Sequence, residues 1–240
     1  MIDLLYLCHG RIEFTEITLA NLLVNTDWNL VDNFVVYNDA APDGSETTEL
    51  LYELLEDRAT IRQTNVKSPV GVMNHFLWRS QADLFAKVDN DIMVPPGWLE
   101  AMLSVMDRDP QLDLLGMEAG MSAIRAPDVP VECYTFTPAS HIGGVALMRR
   151  RPFDTYSWPR PNGRFGFTEW QQNHRPQRGW IEPDLRVFSL DQLPFQPWER
   201  ITEEYKATEG LQRDWNAYPA DMHFYWDWAN LAHEEEEEAA

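Results

Sequence analysis

The chain has 240 residues, 44% of them hydrophobic and 12% aromatic, which is enough to build one full-sized core and excludes both a disordered chain and a minimal stapled scaffold. Its formal net charge is −20, which argues against nonspecific coating of nucleic acid or an anionic membrane. The charge is uneven: residues 1–120 carry 7 basic and 20 acidic side chains, residues 121–200 carry 10 and 8, and residues 201–240 carry 2 and 11. All ten cations of the middle segment are Arg.

Cys8 and Cys133 lie far apart, with neither metal nor redox spacing, so no disulfide framework is expected. The opening MIDLLYLCHGR has too short an apolar run and no basic lead for a signal peptide, and no stretch approaches 18 apolar residues. The expectation is a soluble, cytoplasmic chain with no membrane partner.

Taken in order, Ile2 to Cys8 is a short apolar strand closed by His9-Gly10. Thr15 to Asn25 then places Ile17, Leu19, Leu22 and Leu23 near helical spacing. Phe34 to Tyr37 is a second strand, ended by the turn-rich NDAAPDGS. Ser45 can cap a helix through Leu50, Leu51, Leu54 and Leu55. A third strand is expected in Ala59 to Val66 and a third helix in Val70 to Ser80. A fourth strand, Leu84 to Val88, ends at Asp89, and Pro95-Pro96 are expected to open a helix through Leu99, Met102 and Leu103.

Alternating strands and helices of this size predict an α/β fold with a mostly parallel, twisted sheet and helices on both faces. Ligands bind beyond the carboxyl ends of such strands. Three polar clusters fall there: His9-Gly10-Arg11, Asn38-Asp39 and Asp89-Asn90-Asp91. After residue 120 the alternation stops, with strands expected at Gly144 to Met148 and Leu185 to Leu190 inside an otherwise irregular Pro- and Trp-rich region. The expected organisation is one domain in two halves, residues 1–120 and 121–232, followed by an acidic, disordered tail in 233–240.

Asp89 and Asp91, two residues apart at the end of a buried strand, are hard oxygen ligands suited to Mg²⁺ or Mn²⁺. A divalent ion there would let an acidic chain hold a diphosphate. The same spacing at Asp107 and Asp109, before Pro110, reads as a solvated turn.

Three segments in order, GRIEFTEITLANLLVNT, VVYNDAAPDGS and GVMNHFLWRSQADLFAKVDNDIMVPPGWL, resemble glycosyltransferase family 2 and its A-type nucleotide-sugar-binding fold. The resemblance covers about residues 2 to 105, and it implies that residues 1–120 are the nucleotide-sugar-binding half and residues 121–232 the acceptor-binding and catalytic half. It implies that His9 and Arg11 meet the donor nucleotide, that Asp39 contacts base or ribose, and that Asp89, Asn90 and Asp91 serve the ribose and the metal-diphosphate. Asn74 matches an Asn of the family's helix before the metal strand. The sequence departs from the family's acidic turn at Asn38, Ala40 and Ala41. Some relatives of the fold add a late His to the metal, a role that would fall to His223.

Further on, HIGGVALMRR resembles the family's later strand, and FGFTEWQQNHR resembles the helix start that carries its catalytic carboxylate. Trp170 stands where the family's base Asp is usual, so the role passes to Glu169. Arg149, Arg150 and Arg151 are a candidate anion site for the diphosphate or a phosphate-bearing acceptor, and Trp170 a candidate acceptor contact.

The resemblance therefore implies a glycosyltransferase that uses Mn²⁺ or Mg²⁺ to move a sugar from a nucleoside diphosphate, with a UDP-sugar the expected donor, to an acceptor hydroxyl with inversion. The alternatives are a noncatalytic nucleotide-sugar or glycan-binding protein, and a retaining enzyme acting on an anionic acceptor such as modified nucleic acid. A nucleotidyltransferase would carry a Gly-rich basic phosphate loop, and CHGRIEFTE is not one.

Overall fold

The computed structural model describes residues 2–39, 45–64, 66, 68–120, 129–156, 158–159, 166–183 and 185–190. The chain begins with β1 (Ile2–Cys8), α1 (Ile12–Asn25), β2 (Val31–Asp39), α2 (Ser45–Leu55), β3 (Thr60–Thr64), α3 (Pro69–Arg79), β4 (Leu84–Asp89), the short β5 (Ile92–Met93) and α4 (Trp98–Arg108). There follow β6 (Leu114–Gly116), β7 (Ala119–Gly120), β8 (Thr135–Pro138), β9 (Val145–Arg149), α5 (Arg151–Thr155), α6 (Gly166–His174), β10 (Arg178–Glu182) and β11 (Val187–Ser189).

One sheet of eight strands has the order β3-β2-β1-β4-β9-β6-β10-β8, and a second sheet has the order β5-β11-β7. Strands β3, β2, β1 and β4 run parallel, whereas β9 is antiparallel to both β4 and β6. All seven residues of β1 are buried, as a central strand covered on both faces requires. On one face Leu4, Tyr6, Val36, Ala86 and Val88 pack with Leu19 and Leu22 of α1 and Leu99 and Met102 of α4. On the other, Leu5, Leu7 and Phe85 meet Val72, Met73 and Phe76 of α3 together with Phe153 and Trp170. Each fully buried side chain of this size is worth roughly 1.5–3 kcal/mol.

The helix ends follow from local chemistry. Ser68 caps α3, its Oγ accepting from Gly71 N at 3.2 Å, with Pro69 in the first turn where its missing N–H costs nothing. The fourth helix starts at Trp98 rather than at the two prolines, because Gly97 takes a left-handed turn (φ 72°) immediately before it. The second half is more regular than its composition suggests, for β8, β9 and β10 join the main sheet. Neither cysteine forms a disulfide, Cys8 being buried and Cys133 exposed. Among the described residues no helix is long and apolar enough to cross a membrane.

Candidate active site

Parallel pairing of β1 with β2 and β4 brings the carboxyl ends of these strands side by side: Leu7 pairs with both Tyr37 and Asp89, and Cys8 with Asn38. His9, Arg11, Asp39, Asp89, Asn90 and Asp91 are thereby gathered at one edge of the sheet from three separate stretches of sequence.

Asn90 is the keystone of that edge. Its Nδ2 donates to Gly10 O at 3.0 Å and to Thr15 Oγ1 at 2.9 Å, its N–H donates to Leu7 O at 3.1 Å, and its carbonyl accepts from Thr18 Oγ1 at 3.0 Å. Thr18 in turn lies 2.7 Å from the Tyr6 hydroxyl, which burial above all keeps protonated by raising its pKa. Asn90 thus spends its side chain joining the β4 turn to the start of α1, and its flanking acids are left to face outward.

Each of those acids has a cationic neighbour. Lys87 Nζ is 2.5 Å from Asp89 Oδ1, and Arg11 Nη1 and Nη2 both reach Asp91 Oδ2 at 3.3 Å. Arg11 Nη2 also donates to Asn90 Oδ1 at 3.2 Å, and the guanidinium lies 5.0 Å from the Phe14 ring. Arg11 holds a left-handed backbone (φ 56°) at the head of α1. Asp89 is the more open of the two acids, its side chain 30% exposed against 16% for Asp91. The backbone of Asp91 is tied to the second sheet, since Leu190 N–H donates to Asp91 O at 2.8 Å.

This donor set fits a divalent ion of a particular kind. Among the described residues no three His, Cys, Asp or Glu side chains converge, so there is no preformed protein cage. Two hard carboxylates whose charges are offset by Lys87 and Arg11 match a site that substrate phosphate oxygens complete, as is usual for Mg²⁺-type ions. His223 lies outside the described residues.

Asp39 is buried, and its carboxylate accepts from Thr64 Oγ1 (2.9 Å), Val66 N (2.9 Å) and Ser68 N (3.0 Å). It therefore shapes the loop that leads from β3 into α3, while its carbonyl accepts from His9 Nδ1. Asn74, on α3, donates from Nδ2 to Pro159 O at 2.7 Å, and its buried Oδ1 has no hydrogen-bond partner among the described residues.

Glu169 stands exposed in the first turn of α6, where a carboxylate suits the positive end of the helix. That helix packs on the face bearing Phe85, the face that Asp89 shares by strand alternation. Trp170 points the other way: it is 3% exposed and stacks on Phe153 with centroids 4.6 Å apart and rings 1° from parallel. It fills the core and is not among the residues brought to the sheet edge.

The Arg149–Arg151 triplet is also placed elsewhere. In the antiparallel pair, Val145 is level with Val88 and Arg149 with Leu84, so the triplet emerges about 17 Å along the strand from Asp89, at about 3.3 Å per residue. Arg149 donates to Leu112 O and Met106 O, Arg150 to Ser80 O and Leu77 O, and Arg151 to Asp113 and Gln111 O. These arginines terminate helices and turns at the opposite end of the sheet.

Two residues of the site escaped the sequence reading. Lys87 was signalled by its type, a cation inside the apolar run LFAKV, where an unpaired charge is rarely buried. Gln171 was not signalled: its buried amide binds both the N–H and the carbonyl of Ile142, two residues before the Gly144 carbonyl that Lys87 Nζ approaches at 3.5 Å.

Residues 7–117 match the glycosyl transferase family 2 model. Among solved structures, the mannosyltransferase PcManGT from Pyrobaculum calidifontis, in complex with GDP-Man and Mn²⁺, superposes with a TM-score of 0.62 at 12% identity, covering 87% of this chain and 62% of its own. TarS residues 1–349 from S. aureus superposes with a TM-score of 0.58 at 12% identity, covering 96% of this chain and 78% of its own. The chain thus spans less than two thirds of the length of the first of these. No curated protein matches it in sequence. Residues 7–117 are thus similar to glycosyl transferase family 2, and the chain has the A-type fold of these glycosyltransferases.

Proposed function

We propose that the chain transfers a sugar from a nucleoside-diphosphate donor to an acceptor hydroxyl, with the donor at the carboxyl edge of β1, β2 and β4, and with inversion as the family resemblance implies. The observation that carries this reading is the convergence of Asp89, Asp91 and Arg11 at that edge, built from segments about 80 residues apart. The first strand's loop and the Asp-Asn-Asp turn supply opposite charges to one place, which is what a charged leaving group and its counter-ion need.

Asp89 and Asp91 would hold Mn²⁺ or Mg²⁺ together with the diphosphate. Bound there, such an ion supplies Lewis-acid neutralisation of the departing diphosphate. The chain's own residues do the rest. Asn90 fixes the turn so that both carboxylates leave it on the ligand side. Asp39 fixes the loop before α3, against which the nucleoside would rest. Glu169 would accept the acceptor's proton, a role that the core position of Trp170 leaves to it as the carboxylate at the start of α6. That same tryptophan favours a second reading, a binding protein that holds a nucleotide-sugar without turning it over.

The test is a panel of UDP- and GDP-sugars, each with and without Mn²⁺, followed by thermal shift and by release of the free sugar. Donor-dependent stabilisation with sugar release supports the enzyme. Stabilisation without release or transfer supports the binding protein, and no response to any donor removes both. The variants D89N and D91N should each abolish the Mn²⁺-dependent part of the shift.

A further inference from the structure

Arg11 is fastened in a way that sets it apart from an ordinary surface ion pair. Its backbone is held left-handed, with its carbonyl accepting from Phe14 N (2.9 Å) and Thr15 N (3.1 Å), and its guanidinium is steadied by the Phe14 ring. From that anchor it forks onto one oxygen of Asp91 and onto Asn90, with only 12% of its side chain exposed. Both bonds to Asp91 are long, 3.3 Å, where a relaxed guanidinium–carboxylate bond is about 2.7–2.9 Å. The guanidinium is thus aimed at the carboxylate but not closed onto it.

We infer that Arg11 is an exchangeable counter-cation: it neutralises Asp91 in the free protein, competes with a divalent ion for that carboxylate, and passes to the diphosphate oxygens when metal and nucleotide arrive together. The inference rests on the donor reading above and adds an order of events to it. One carboxylate oxygen cannot serve two cations at full strength, and the displaced guanidinium keeps its anchor at the head of α1. A planar fork that has lost a carboxylate is matched by the nonbridging oxygens of a diphosphate, so the positive charge that repels free metal becomes an attraction once the nucleotide is present.

The consequence is antagonism toward metal alone and cooperation with metal plus nucleotide. The experiment measures Mn²⁺ affinity without nucleotide, from the free-ion electron spin resonance signal, and then GDP and UDP affinity by calorimetry in saturating Mn²⁺. Wild type, R11M and R11K are compared, each checked for folding by its thermal melt. In R11M, Mn²⁺ alone should bind at least about threefold tighter, the scale of a partly exposed ion pair, while the preferred nucleotide binds about tenfold weaker. R11K, which keeps the charge without the fork, should fall between wild type and R11M on both scales. Should R11M bind Mn²⁺ no tighter than wild type, or should nucleotide affinity survive intact, the exchange is overturned; if R11M does not fold, R11K decides by the same two constants. Failure of the donor reading looks different, because wild type would then bind neither nucleotide, whereas the Mn²⁺ arm still decides the competition.

Discussion

Gln171 grips Ile142 with both ends of its side-chain amide, Oε1 accepting from Ile142 N and Nε2 donating to Ile142 O, each at 2.8 Å. The pair is fully buried and imitates one rung of a sheet between α6 and the loop before β9. Leucine at 171 would leave a buried N–H and a buried carbonyl without partners, each costing about 1–3 kcal/mol. Q171L should therefore lower the unfolding free energy by about 2–6 kcal/mol in urea titration, with a proportionate fall in melting temperature. A loss below half a kilocalorie would mean that the loop is held by its other contacts.

Replacing Glu169 by Gln keeps the size and the helix while removing the base. If Glu169 takes the acceptor's proton, E169Q should lower kcat by about 10²- to 10⁴-fold. Nucleotide affinity should stay within about twofold of wild type, because the side chain lies on α6 and not on the donor edge. Undiminished turnover would remove Glu169 from the reaction.

Arg150 offers the contrasting case. Its guanidinium donates to Ser80 O at 2.6 Å and Leu77 O at 2.9 Å, satisfying carbonyls at the end of α3. R150A should lower stability by about 1–2 kcal/mol, as loss of a cation at a helix C-terminus does, and leave kcat/KM and nucleotide affinity unchanged. A variant that melts like wild type but binds an anionic acceptor poorly would return the triplet to the binding surface.

His75 ties stability to pH. Its Nδ1 lies 2.9 Å from the Tyr37 hydroxyl and its Nε2 accepts from Arg79 Nε at 3.3 Å, so the ring is neutral. Burial, with the positive charges of Arg79 and Arg62 behind it, lowers its pKa from 6.5 to about 3. The unfolded chain takes up this proton near pH 6.5 and the folded chain does not. The stability that the neutral ring supports is complete above pH 6.5 and is lost as pH falls toward 3, by up to about 1.4 kcal/mol per pH unit. Denaturant titrations between pH 6.5 and 5, above the main carboxylate range, should show this slope in wild type and a flatter one in H75Q. Equal slopes would place the source elsewhere.

Much of the first half was legible because its signals are local. Apolar blocks of strand length, leucines at helical spacing and polar residues just past each block mark β1, β2, β4 and their ligand-facing ends without tertiary information. The Arg11–Asp91 contact was not legible as a bond, since only the parallel pairing of β1 with β4 brings together positions 80 apart in the chain. The arginine triplet misled for the same reason. Composition counts charges but does not say which way a strand runs, and the reversal of β9 carries Arg149 to the far end. Trp170 shows the limit of reading a position by analogy: its neighbours Phe153 and Phe167 make it a core residue, and that follows only from the fold of α5 and α6.

The reversed strand β9 also fixes where the molecule can be lengthened. A segment inserted before Val145, next to Gly143 and Gly144, emerges beside Asp89 and would extend the rim of the site. A segment of the same length inserted after Arg149 emerges at the opposite end of the sheet, where it would part Arg149 from the carbonyl-bound Arg150 and Arg151. New acceptor contacts can be grafted at the first junction, with the five residues of β9 keeping it apart from the second.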